Sequence, residues 1–212
     1  MDIIEKALAY VQAFFEKEFS GHDYFHTLRV FRMATLIAKE EKADLQTVQL
    51  AALLHDVDDR KLSPETWESK ANARRFLAEN QVDEETVDRV LTIIGEISYA
   101  GKDSVTPITL EGKCAQDADR LDAIGAIGIG RAFAYGGNHN RLMHHPDIPP
   151  KQNMSKEEYY NHEATTLNHF YEKLFLLVGL MNTPTAKRIG EARQAYMKAF
   201  VQEFLDEWEG MK

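Results

Sequence analysis

LLHDVDDRK, residues 53–61, is an odd way to end a helix. The apolar pair Leu53 and Leu54 runs into His55, then into the carboxylates Asp56, Asp58 and Asp59, then into the cations Arg60 and Lys61. Val48, Ala51 and Ala52 precede His55 on the apolar face of the same helix, so the imidazole is expected to end inside the fold. At a helix end, the adjacent Asp56 can splay toward the same point. Burying such a carboxylate costs on the order of several kcal/mol unless something positive pairs with it. A divalent cation would supply that charge. The plain alternative is an Asp56 exposed to water; against it, an acid at a helix C-terminus opposes the macrodipole.

Two other stretches supply matching chemistry. In GHDYFHTLRVFRMA, residues 21–34, helical spacing puts His22, His26, Val30, Met33 and Ile37 on one face, and the apolar members make it the buried one. A lone histidine there would read as a core residue bonded to a carbonyl. In CAQDADRLDAIGAIGIG, residues 114–130, Asp119 shares a face with Ala115, Ala123 and Ala126, which suggests close packing around an inward carboxylate. Asp122 lies one turn away and Asp117 on another face, so three acids compete for one inward place. Two imidazoles and two carboxylates suit a single divalent ion: Mn, Mg, Co, Ni or Fe, with zinc admitted although structural zinc prefers thiolates.

The rest of the chain sets bounds. It has 212 residues, expected to form one domain, and a formal net charge of −9, which argues against a nucleic-acid or anionic-membrane partner. Cys114 is the one cysteine, so no disulfide can form within the chain, and a small packing role is expected for it. The longest apolar run, Leu174 to Met181, is too short to span a bilayer, and charges such as Glu5 and Lys6 break any signal-peptide core. A cytoplasmic protein is expected. Periodicity predicts an all-α fold, with helices over 2–19, 23–41, 44–56, 64–79, 83–99, 111–133 (broken near Gly125), 155–178 and 184–209. Caps are predicted at Asp44, at Ser63 before Pro64, at Asp83, in a Ser155–Glu158 capping box, and at Thr183 before Pro184. Residues 136–154, with His139, His144 and His145, read as a long solvated loop. GAIGIG, 125–130, has the wrong order and setting for a phosphate loop and reads as close helix packing.

Together, His26, the His55–Asp56 doublet and the distant aspartate resemble the H…HD…D pattern of the HD-domain superfamily. HTLRV at 26–30 and AALLHD at 51–56 are similar to its first two motifs, and DADRLDAIGAIGIGRAF at 117–133 to a longer motif of a bacterial phosphohydrolase subgroup. The likeness runs from about residue 20 to 135. It implies a helical HD-domain fold with a metal between helices, held by His26, His55, Asp56 and, from the alanine–aspartate pair, Asp119, with 155–209 packed on that core. HD proteins with two metals add histidines after the doublet; here none lies between His55 and His139, which implies one ion.

The implied activity is metal-dependent hydrolysis of a phosphoanhydride or phosphoester in a small phosphorylated substrate. A nucleoside triphosphate giving monophosphate and pyrophosphate leads. A phosphomonoesterase or guanylate-alarmone hydrolase follows, then an HD-type oxygenase or a non-catalytic regulatory module. Asp59, then Glu96, are the candidates to orient or deprotonate water; alarmone hydrolases carry an acid pair similar to Asp58–Asp59, one residue later. Arg60, Lys61, His22 and Arg120 are the candidate substrate contacts, with Asp58 to Lys61 lining the mouth. Tyr99, Phe133 and Tyr135 are candidates to stack on a base. The assembly expected is a monomer or homodimer.

Overall fold

A computed structural model describes residues 2–17, 23–60, 62–97, 105–151 and 164–212. Every regular element among them is a helix. The chain gathers into two compact units, residues 1–99 with 104–119, and residues 100–103 with 120–212.

The first unit holds α1 (Ile3–Phe14), α2 (Tyr24–Glu41), α3 (Leu45–Leu54), α4 (Ala71–Glu79), α5 (Glu84–Ile97) and most of α6 (Leu110–Asp122). Helix α3 is its centre, packed against α1, α2 and α5. Leu50, Ala51, Leu53, Leu54 and Val57 join Val11, Phe76, Leu77, Val90 and Ile93 in one buried cluster. This accounts for a helix that is apolar nearly all round. Caps start these helices as their sequences predict: Asp44 accepts from the Thr47 amide at 2.8 Å, and Asp83 from that of Thr86 at 2.9 Å.

The helix predicted from residue 64 begins instead at Ala71. Ser63 does not serve as its cap: the hydroxyl donates to the Val57 carbonyl at 3.0 Å, and residues 63–70 close as turns on the Ser63 and Thr66 carbonyls. Lys70, at φ 53°, is left-handed and separates those turns from α4.

In the second unit, α7 (Gly125–Asn138) packs against α8 (Thr166–Glu172) and α9 (Pro184–Trp208), with a 3-10 helix over Leu174–Leu180 between the last two. The break near Gly125 has two causes. Gly125 itself adopts φ +80°, and a Cβ on Gly128 would stand 2.3 Å from the Ala123 carbonyl oxygen. Helix α7 takes in Gly136 and Gly137, and the stretch after it is tied down: the Thr166 and Leu167 amides donate to the Leu142 and Met143 carbonyls, and Asn168 Nδ2 to the Ile148 carbonyl. The predicted helix 155–178 is shorter among the described residues, starting at Thr166 with Thr165 as cap. The Ser155–Glu158 capping box lies outside the described residues. No helix described is long and apolar enough to cross a membrane.

Candidate metal centre

Three helices of the first unit bring His26, His55 and Asp56 together, with Asp119 beside the two rings. Asp23 caps α2, its carboxylate accepting from the His26 amide at 2.7 Å. That cap fixes the first turn and points His26 along the face of Val30 and Ile37, into the interior. His55 and Asp56 come where α3 ends, and both are buried. Asp119 lies on α6.

His26 Nε2 stands 3.3 Å from His55 Nε2, 3.4 Å from Asp56 Oδ2 and 3.5 Å from Asp119 Oδ1. His55 Nε2 stands 3.2 Å from Asp56 Oδ2 and 3.9 Å from Asp119 Oδ1. Two ring nitrogens this close need a proton or a cation between them. Donors about 2.1 Å from one ion, at tetrahedral to octahedral angles, stand roughly 3.0–3.6 Å apart. The separations among His26, His55 and Asp56 fit a shared divalent ion, as do the nitrogen and oxygen donors, whereas Asp119, 3.9 Å from His55 Nε2, would have to move closer to join them.

His55 is also oriented from behind. Its Nδ1 lies 2.9 Å from the Ala52 carbonyl oxygen, so that nitrogen carries the hydrogen and donates, leaving Nε2 for the cluster. Burial alone would pull its pKa down. The charge and hydrogen bond of Asp56, with the charge of Asp119, outweigh burial and hold the ring up to about 9. A divalent ion competes with that proton. The cluster has one wet edge: the Asp119 side chain is 26% exposed, against 1% for His26 and 9% for Asp56.

The three acids of α6 separate clearly. Asp119 lies against both imidazoles. Asp117, fully buried, is roughly 200° round the helix from Asp119. Asp122 pairs with Arg131 at 2.6 Å.

The candidates around the doublet divide too. Asp59 is half-buried, its amide donating to the Asp56 carbonyl at 3.1 Å. Arg60 is exposed, with its guanidinium 5.6 Å above the Trp67 ring. Glu96 is half-buried, which raises its pKa. Its carboxylate sits beside the first turn of α6, with Oε2 3.3 Å from where a Cβ on Gly112 would stand. That is two turns, about 10 Å, from the Asp119 position. Arg120 is buried and donates to the Leu180 carbonyl, a bond that suits helix packing better than a substrate contact. Phe133 packs among Phe170, Phe200 and Phe204, and Tyr135 stacks on His139 at 3.8 Å. His22, Lys61 and Tyr99 lie outside the described residues.

Asp58 corrects the expectation of a mouth lined from 58 to 61. It is 2% exposed, and its carboxylate accepts from the amides of Asn72 at 3.1 Å and Ala73 at 2.9 Å. Sequence reading missed this pair. The signal available was α4's missing cap: no Ser, Thr, Asp or Asn stands at Lys70, so its first amides must find an acceptor elsewhere.

Similarity to other proteins gives the family. Residues 23–124, which span all four donors, match the HD domain family. YpgQ of Bacillus subtilis (strain 168) is 38% identical over 201 residues, covering 94% of this chain and 90% of YpgQ. Its crystal structure in complex with ADP aligns with a TM-score of 0.77 at 33% identity, covering 99% of this chain and all (100%) of that one. A Bacillus thuringiensis protein described as an HD-superfamily hydrolase aligns at 0.76 with 41% identity, over 97% of this chain and 96% of that one. A Lactobacillus plantarum protein aligns at 0.85 with 37% identity, over 98% and 97%. With its donor cluster and these relatives, the chain belongs to the HD-domain family and is an HD-type metal-dependent phosphohydrolase.

Proposed function

We propose that this phosphohydrolase acts on nucleotides, cleaving a nucleoside triphosphate to the monophosphate and pyrophosphate with one divalent ion at His26, His55, Asp56 and Asp119. The observation that carries the reading is the buried meeting of His26, His55 and Asp56 at 3.2–3.4 Å, with the partly exposed Asp119 at 3.5 and 3.9 Å from the two ring nitrogens. The nucleotide half rests on likeness to YpgQ, a protein crystallised with ADP. His26, His55, Asp56 and Asp119 would hold a divalent ion (Mn, Mg, Co, Ni or Fe, with zinc admitted), which would supply Lewis-acid polarisation of a phosphoryl oxygen and a more acidic water.

The chain's own residues supply the rest. The wet edge at Asp119 is the side from which a phosphate would reach the cluster. Asp59 is the group proposed to orient the attacking water and take its proton. Glu96 is second choice: burial suits its carboxyl to holding a proton, but it stands two turns away. Arg60, braced on Trp67, offers a guanidinium to phosphate oxygens, with Lys61 and His22 as further contacts. Arg120 is left to packing.

The test is a hydrolysis screen on metal-stripped protein. Each metal is added back singly to a panel of nucleoside tri-, di- and monophosphates, and pyrophosphate and orthophosphate are detected separately. The expected result is metal-dependent pyrophosphate release that disappears in Asp56→Ala. Orthophosphate from monoesters would replace this reading with a phosphomonoesterase. No turnover from protein that binds one ion would remove nucleotides as the substrate.

A further inference from the structure

A ligand on a helix end is poorly placed to be precise, because the last turn frays and its carbonyls lack partners. Asp56 is such a residue. It follows the C-cap of α3, and the chain continues in turns rather than in helix. Yet it stands within 3.4 Å of both ring nitrogens. Something must hold the turn.

The hydrogen bonds around it cross between two segments in both directions. Asp58, two residues after Asp56, accepts from the Asn72 and Ala73 amides. These are the second and third residues of α4, the donors that a helix's own capping side chain would take. Asn72 returns the contact: its Nδ2 donates to the Val57 carbonyl and to Thr66 Oγ1, both at 3.0 Å. Ser63 Oγ adds a second bond to that Val57 carbonyl. The residue between Asp56 and Asp58 is thus held by its carbonyl, and the next by its carboxylate. The anchor is firm, since Ala73, Phe76 and Leu77 of α4 belong to the buried core of the first unit. The α4 dipole also favours a negative Asp58 at its N-terminus.

We infer that the buried Asp58 and the half-buried Asn72 form a clasp that positions the Asp56 carboxylate against His26 and His55. They are positioning residues, acting through the backbone of 56–58, and the inference rests on Asp56 being a metal ligand. Asp58 then has two effects from one carboxylate: it caps α4 and it sets the ligand. A capping role alone would be felt only in stability. A positioning role is felt at the metal as well.

The experiment is a Co²⁺ titration of the metal-stripped full chain, read by visible absorption, alongside thermal melts. Four proteins are compared: wild type, Asp58→Ala, Asn72→Ala and Asp83→Ala. Asp83 is the control, a cap on α5 with its own amide partner at Thr86. The expected result is a Co²⁺ Kd weakened about tenfold or more in Asp58→Ala, with an altered d–d spectrum. Asn72→Ala, which keeps the cap and loses the return bonds, should show the same spectral change with a smaller fall in Tm. Asp83→Ala should lower Tm with Co²⁺ affinity and spectrum unchanged. Should Asp58→Ala not fold, Asn72→Ala decides. Wild-type affinity and spectrum in every folded clasp variant would reduce Asp58 to a helix cap and overturn the inference. Failure of wild type to bind Co²⁺ would instead remove the metal reading beneath it.

Discussion

Two regions of this chain carry grouped histidines, and they behave in opposite ways. His139, His144 and His145 are close in sequence, and each finds a separate neighbour. His139 Nδ1 donates to the Tyr135 carbonyl while its ring stacks on Tyr135; His144 lies edge-on to Trp208 and Phe204; His145 Nδ1 accepts from the Asp147 amide. His26 and His55 are 29 residues apart, yet their Nε2 atoms meet at 3.3 Å among carboxylates. Histidine density along the chain therefore says little. What makes a metal site is inward placement on different helices, with acids arriving at the same point and a carbonyl fixing the ring from behind.

Substitutions can break that contrast. The largest effect is expected in the cluster. His55→Ala or Asp56→Ala should remove metal-dependent turnover, a loss beyond the roughly 10–100-fold cost of removing a ligand's hydrogen-bonding partner. His139→Ala and His145→Ala should stay within about twofold of wild type, as expected for surface positions without a role in the site. Steady-state kinetics with saturating metal checks both. If the loop variants lost activity as the cluster variants do, the contrast would be wrong.

The acids of α6 sharpen it. Asp119→Asn should weaken metal binding at least tenfold while changing Tm little, because the side chain is partly in water. Asp122→Asn should do the reverse. Its pair with Arg131 is mostly buried, so losing that charge should cost about 1–3 kcal/mol with metal affinity intact. Calorimetric titration and chemical denaturation separate the two. Gly128→Ala should likewise cost about 1–3 kcal/mol through its clash with the Ala123 carbonyl, without touching metal binding.

The smallest effect concerns the helix that delivers His55. Hydrogen bonds from Thr47 hold the Asp44 carboxyl below its ordinary value of 3.8. A carboxyl depressed in the folded state stabilises the fold above its unfolded pKa, and that contribution is lost as pH falls through the folded pKa. Asp44→Ala should thus cost about 1 kcal/mol at pH 7. The gap to wild type should shrink as melts are repeated below about pH 4.

The helical class and the inward face of α2 were legible because periodicity reports burial directly. Val30 and Ile37 carry His26 inside, and Ala51 and Ala52 carry His55. Of the alanines read with Asp119, Ala115 is buried on the same helix, but Ala123 and Ala126 lie past the end of α6 and Ala126 is exposed, so that face was legible only in part. Other features depend on partners that local sequence does not contain. The start of α4 was misread because its cap, Asp58, lies thirteen residues before Ala71 in the chain (58 to 71), while the nearer candidate, Ser63, bonds to Val57. Nothing near Arg120 in sequence reveals the Leu180 carbonyl that receives it. Long-range hydrogen bonds of buried polar groups were the information missing in each case.

The most direct test of the metal centre is anomalous diffraction from crystals of the chain grown with Mn²⁺. One strong peak is expected, bonded at about 2.1–2.2 Å to His26 Nε2, His55 Nε2, Asp56 and Asp119. A peak at His139, His144 or His145 with none between α2, α3 and α6, or a cluster ion that leaves Asp119 unbound, would contradict it.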